Sequence, residues 1–242
     1  DVEKALAWLK QKNLDRSETG LDKPATEGLL GYKTDGDERF QTKSTKITVV
    51  EMSASTDFAV KNSEFVILLE SLVNTAYAFG LNSVEELLTF PASPACASCP
   101  NETYESAVKN LAGKIGENIA VKRVVTIEGE IGLYIHFDNK QGAIVQLENT
   151  INELTNKIGK DLSMHIVFAK PLYLSREQVP AEAVEKEKTI IMARLADDPK
   201  NSKKPPQIIE KIVTGQLGKF FAQTVLVDQG YYKEEKKTVA EV

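Results

Sequence analysis

The sequence predicts an α+β fold: two related lobes, each a small antiparallel sheet packed with helices, preceded by the remnant of a small helical N-terminal module. Two observations predict it. The first is an internal echo: Glu27-Gly28-Leu29-Leu30-Gly31-Tyr32 returns about a hundred residues later as Glu128-Gly129-Glu130-Ile131-Gly132-Leu133-Tyr134, beyond ordinary solenoid periods. The second is the order of elements, because each copy is followed by a polar turn, a second apolar strand and a helix. A shared Gly-x-x-Gly alone marks many strand starts; the shared order makes duplication the better reading.

The elements follow in turn. Residues 1–14 read as one amphipathic helix with Val2, Ala5, Leu6 and Leu9 on one side and Trp8 flanking them. One short helix cannot bury its own apolar face, so it needs neighbours that this sequence does not supply upstream. Residues 15–26 are a polar linker. The first lobe, 27–118, opens on a strand at Glu27–Tyr32 and continues with a second at Lys46–Met52. A helix over Glu64–Phe79 stops at Gly80, a suitable helix-terminating residue. Ser83-Val84-Glu85-Glu86 fits a capping box, Phe90–Thr103 is a loop with three prolines and both cysteines, and Tyr104–Ile115 is a helix ending at Gly116. The second lobe, 119–242, begins with three strands, Ile119–Glu130, Leu133–Phe137 and Ala143–Glu148. Helices are expected at Thr150–Ile158, Pro180–Ala196 and Pro206–Phe221. Met164–Ala169 is open between strand and buried helix, and Val225–Tyr232 between strand and extended tail.

The totals exclude several function classes. The 242 residues are 42% hydrophobic and 27% charged, as in an ordinary soluble globular protein. A net charge of −5 disfavours a nucleic-acid surface, which wants a basic patch; Lys200, Lys203 and Lys204 are too slight a cluster to change that. No apolar run approaches the roughly 20 residues that span a bilayer, and the first residues lack the pattern of a secretory signal. Two cysteines are too few for a disulfide scaffold. Cys96-Ala97-Ser98-Cys99 has metal or redox spacing, but no second pair exists and Pro91, Pro94 and Pro100 spoil a thioredoxin-like context. No catalytic carboxylate pair and no phosphate-binding Gly-x-x-x-x-Gly-Lys-Ser/Thr loop can be picked out. No cofactor and no bound metal are expected.

One tripeptide stands out. Thr56-Asp57-Phe58 lies between the second strand and the long helix, where an aromatic usually packs inward. Asp57 and the polar Ser53, Ser55 and Thr56 argue for the opposite, a ring held out as an anchor for a partner's pocket. From the tripeptide alone both placements are open.

The string from Thr56 to Phe65, Thr-Asp-Phe-Ala-Val-Lys-Asn-Ser-Glu-Phe, resembles the signature of elongation factor Ts, the nucleotide exchange factor of the GTPase elongation factor Tu. The resemblance runs in order along nearly the whole chain. Asp1–Leu9 is similar to the third helix of that family's ubiquitin-associated-like module; helices one and two are absent, which implies a trimmed start. Thr26-Glu27-Gly28, Lys114-Ile115-Gly116-Glu117-Asn118-Ile119 with Lys122-Arg123, and Tyr134-Ile135-His136 follow. Ser163-Met164-His165, Ala169-Lys170-Pro171, Val184-Glu185-Lys186-Glu187, Lys211-Ile212-Val213-Thr214-Gly215 and Lys219-Phe220 come next, with Gln229 and Thr238-Val239 last; the end stops short of the family's usual final strand. Four departures accompany these matches. Ser53 and Ala54 stand where Asn and Cys are usual, Ala59 precedes the expected valine, Phe137 replaces a glycine and Gly230 a proline.

The resemblance implies a non-enzymatic exchange factor. Its partner-binding residues would be Thr56, Asp57, Phe58 and Ala59, with Phe58 wedged between helices of the GTPase and Asp57 beside it, displacing groups that hold the partner's Mg²⁺. Ile115 and His136 would add contacts; on their own the first reads as core and the second as a structural histidine, as His165 does. An alternative is a scaffolding relative that binds the GTPase with little exchange activity. The altered turn and the Phe90–Thr103 insertion suggest a mitochondrial copy, with bacterial cytoplasm or plastid as alternatives.

Overall fold

The computed structural model describes residues 24–36, 44–92, 102–148, 154–197 and 204–242, together with Lys4 and Trp8. The helix expected over 1–14, most of the linker at 15–26 and the cysteine pair of the 90–103 loop lie outside the described residues. The chain divides into two compact units, Asp1–Ser163 and Met164–Val242.

The first unit is built on strands β1 (Glu27–Thr34), β2 (Ser44–Ala54), β3 (Ile119–Ile135) and β4 (Gly142–Leu147), paired in that order as one antiparallel sheet. Its helices are α1 (Asp57–Val60), α2 (Ser63–Phe79), α3 (Val84–Thr89) and α4 (Tyr104–Ile115), with α5 (Leu154–Ala169) beginning here and ending in the second unit. Alternation along β2 sends Val50, Met52 and Ala54 to one face, where they meet Phe65, Leu68, Leu72 and Ala76 of α2 and Tyr104 and Leu111 of α4 in the main core. On the other face Ile47 packs with Ile131 and Leu133 in a smaller cluster bordered by Val49, Ile135 and Ile144.

Local sequence sets the helix ends. Asn62, Ser83 and Thr103 each accept a hydrogen bond from a backbone N–H of the helix they open. Gly80 (φ 67°) and Gly116 (φ 78°) close α2 and α4 in the left-handed conformation that glycine adopts without strain.

Both copies of the echoed motif contribute two strands to the first unit. Because β2 and β3 pair from Ala54↔Ile119 to Ser44↔Ile131, the two copies share one sheet. The two strands expected at 119–130 and 133–137 are a single strand, β3. Gly129 takes φ 132° at a register shift in the β2–β3 pairing, while pairing passes from β2 to β4 and keeps the ladder going through Gly132. The second glycine of each copy has the same use. A Cβ on Gly31 would strike Leu69 and Val73 of α2, and one on Gly132 would strike the backbone of Gly159 in α5. Each glycine therefore lets the helix of its own copy lie close on the sheet.

The second unit holds a helical pair, α6 (Ala181–Asp197) and α7 (Pro206–Thr224), joined through Ile191, Leu195 and Val213. A short hairpin of β5 (Gly230–Tyr231) and β6 (Glu234–Thr238) follows. Met164–Ala169, open between strand and helix in the sequence, is the end of α5. His165 is buried there, its Nε2 3.0 Å from Gln229 Oε1, and Gln229 Nε2 donates to Gln223 O at 2.9 Å. Among the described residues no helix is long and apolar enough to cross a membrane.

Candidate functional site

From Ser53 to Asn62 the chain is fastened by its own polar side chains. Ser53 is buried and its hydroxyl donates to Ala120 O at 3.3 Å. Ser55 Oγ accepts from Asn118 N at 3.2 Å, tying this turn to the segment after α4. Thr56, in extended conformation, accepts from Ala59 N at 3.3 Å and opens α1; Asn62 accepts from Glu64 N at 2.8 Å and opens α2. The polar residues that argued for an outward ring thus act by satisfying backbone groups.

What turns Phe58 outward is helix geometry. Successive residues of α1 step by about 100°, and Ala59 and Val60 both point into the main core. Phe58 is left 82% exposed. Ala59, expected beside it among the partner-facing residues, is only 2% exposed and is the foot that seats α1 on the core. Asp57 is paired with Lys61 at 2.8 Å. The hydrogen bond from Lys61 holds the Asp57 carboxyl below its ordinary range, with help from the charges of Lys61 and Lys140 against slight desolvation.

Lys140 comes from the loop between β3 and β4. That loop closes on itself, with His136 N donating to Gln141 O and Asn139 N to His136 O, both at 2.8 Å. It also lies down on β1: Leu30 N donates to Asn139 O at 2.7 Å, and Lys140 Nζ meets Glu27 Oε2 at 2.7 Å. An outward-facing N–H of an edge strand is thereby satisfied. The hydrogen bond and charge of Glu27 raise the Lys140 pKa first, and Asp57 adds to the rise. The His136 loop and the Asp57–Phe58 turn therefore share one end of this unit.

His136 is half-buried, its Nδ1 2.9 Å from Tyr134 Oη and its ring 4.5 Å from that of Phe137. Phe137, noted in the sequence only as a departure, is 90% exposed. Ile115 is partly buried against the main core. It sits one residue before Gly116, on the segment that Asn118 ties to Ser55, so its position is near the turn while its side chain packs inward. Among the described residues no cluster of three or more His, Cys, Asp or Glu is placed to hold a metal. Two exposed rings flanked by Asp57, Lys61, Lys140 and Glu27 have the chemistry of a binding surface, with an apolar centre and a charged rim.

The elongation factor TS family model matches residues 55–242, a stretch containing Asp57, Phe58, Ile115 and His136. Elongation factor Ts of Deinococcus deserti is 36% identical over 242 residues, covering 100% of this chain and 83% of the relative. That of Deinococcus radiodurans is 33% identical over 240 residues, 98% of this chain and 82% of the relative. That of Spiroplasma citri is 29% identical over 246 residues, 100% of this chain and 77% of the relative. Matched along its length in this way, the chain belongs to the elongation factor Ts family and is a translation elongation factor.

Proposed function

We propose that this chain binds elongation factor Tu and promotes release of GDP, with Phe58 as the wedge and Asp57 as the polar group that reorders the partner's Mg²⁺-holding groups. The observation that carries the reading is the presentation of Phe58: a ring 82% exposed on a turn whose next two residues are buried in the core. Such a ring is already positioned, so little ordering entropy opposes its insertion. Burying it fully is worth up to ~3 kcal/mol, and each ~1.4 kcal/mol is tenfold in an equilibrium. One ring can therefore support about a hundredfold change in nucleotide release. Linkage adds that the factor must itself bind less tightly when nucleotide is present. No covalent chemistry on the nucleotide is asked of this chain.

Stopped-flow release of fluorescent GDP from the GTPase tests the proposal. Phe58→Ala should lose about a hundredfold of the stimulated rate while keeping the wild-type urea midpoint, since the ring touches little of its own core. An unchanged rate refutes the wedge. Wild-type binding without acceleration would instead favour the scaffolding reading, which the substitutions at Ser53 and Ala54 motivate. The bacterial sources of the relatives favour work in the bacterial cytoplasm over the mitochondrial alternative.

A further inference from the structure

We propose that Phe137 is a second apolar anchor for the same GTPase, held in register with Phe58 by the strap that Asn139 and Lys140 make across β1. The inference rests on the function proposed above and assigns it a further partner-contacting residue. Among the described residues Phe137 is the most exposed large apolar side chain. A phenylalanine at a loop tip gains nothing for its own fold when nine-tenths of it stays in water, so its contribution has to come from what covers it.

The loop that carries it is built to hold the ring still. His136 N–H and Asn139 N–H close the loop, Lys140 N donates to Asp138 Oδ1 at 2.9 Å, and Asn139 adopts φ 55°, a left-handed conformation that asparagine tolerates better than most residues. The ring of His136 lies against one side of Phe137 at 4.5 Å. An aromatic anchor on a fixed loop loses little freedom when a partner closes over it.

The choice of occupant follows from continuity. Lys140, three residues after Phe137, is bonded to Glu27, whose β-sheet partner Ala54 lies just before the Ser55–Asp57 turn. The charges of Lys140 and Asp57 act on each other. A partner that takes Phe58 into a pocket therefore meets the Phe137 loop on the same surface, and the two rings with their charged surround make one footprint. Lys140 acts here as a positioning residue: it fixes the loop and need not touch the partner.

The test titrates nucleotide-bound GTPase with wild type, Phe137→Ala, Phe58→Ala and the double variant, reading fluorescent-GDP release by stopped flow. Phe137→Ala should raise the factor concentration giving half-maximal release about tenfold, the effect of a lost peripheral anchor, and leave the plateau rate within about twofold. Phe58→Ala should lower the plateau. A second variant, Lys140→Ala, should raise the half-maximal concentration in the wild-type background and have no further effect in Phe137→Ala. A half-maximal concentration for Phe137→Ala within about twofold of wild type, with Phe58→Ala defective, overturns this inference and leaves the exchange reading intact. A wild-type chain that neither binds nor stimulates overturns both. Loss of the urea midpoint in Phe137→Ala would make the residue structural and also overturns it. So would sedimentation showing that Phe137→Ala removes a dimer of this chain without altering GTPase binding.

Discussion

Helix α5 meets strand β3 glycine on glycine, and that contact makes a quantitative prediction. A Cβ built on Gly159 would lie 2.9 Å from Gly132 Cα, and one built on Gly132 would fall closer still to the carbonyl group and Cα of Gly159. Carbon atoms prefer about 3.5–4.0 Å, so Gly132→Ala requires β3 and α5 to part by about 1 Å. What they strike is backbone, which cannot rotate away as a side chain can. The cost is overpacking, about 1–3 kcal/mol and toward the upper end here. Two companions calibrate it. Gly31→Ala meets side-chain atoms of Leu69 and Val73 at 2.8 Å, which can yield in part, so it should cost about half as much. Gly215→Ala, inside α7 with nothing within 4 Å, should stabilise by about 0.5–1 kcal/mol through helix propensity. Urea unfolding with equal m-values ranks the three, and amide exchange in β3, β4 and α5 locates the loss. A Gly132→Ala protein as stable as wild type would mean that α5 does not lie on β3, and the packing argument would fail.

Two further outcomes follow from buried and clustered polar groups. Tyr104 is fully buried with its hydroxyl 2.7 Å from both Ser71 Oγ and Thr75 Oγ1 and 2.9 Å from Ser71 O; Tyr104→Phe strands these partners and should cost about 1–3 kcal/mol in urea unfolding, a loss below 0.3 kcal/mol contradicting the network. Asp35 accepts from the Thr45 hydroxyl, from Thr45 N at 2.8 Å, from Lys46 N at 3.0 Å and from Ser44 Oγ at 3.2 Å. Desolvation is the largest single influence and raises its pKa, but the hydrogen bonds together outweigh it and bring the carboxyl down from 3.8 to about 2. A folded-state pKa below the unfolded one stabilises above pH 3.8 and loses that contribution as pH falls toward about 2. Asp35→Asn should therefore be less stable than wild type at pH 7 by about 1 kcal/mol after solvent screening, with the gap closing at pH 2; a constant gap would remove the carboxylate from the explanation.

Much of the fold could be read from short stretches of sequence. Gly80 and Gly116 end helices where expected, Ser83 and Thr103 begin them, and the duplicated motif corresponds to two strand pairs with their helices. These features depend on residues within a turn or two of one another. One misreading and one open alternative have local causes as well. The expected strands 119–130 and 133–137 left a gap at Gly132, yet β3 runs through it and that glycine admits a helix. Met164–Ala169 is too short to show helical period by itself and belongs to the longer α5.

At the candidate site, the tripeptide Thr56-Asp57-Phe58 stood out in the sequence but left the placement of the ring open, and the structure shows it 82% exposed. That Ala59 turns into the core beside it was not legible, because which side of α1 faces the core depends on where that helix is seated. Phe137 looked like a mere exchange for glycine, with nothing in the sequence around it to indicate that its loop returns to β1.

From the order of its residues alone, this chain determined its helix and strand types, its duplicated plan and the presence of an outward-capable Asp57–Phe58 turn, since propensity, capping and periodicity act over a few residues. Tertiary structure alone decided that the two strand pairs form one sheet, and that the His136–Phe137 loop reaches the Asp57–Phe58 end through a Lys140–Glu27 pair 113 positions apart. Contacts between residues so distant leave no periodic mark in either segment, and only the folded chain brings their charges together.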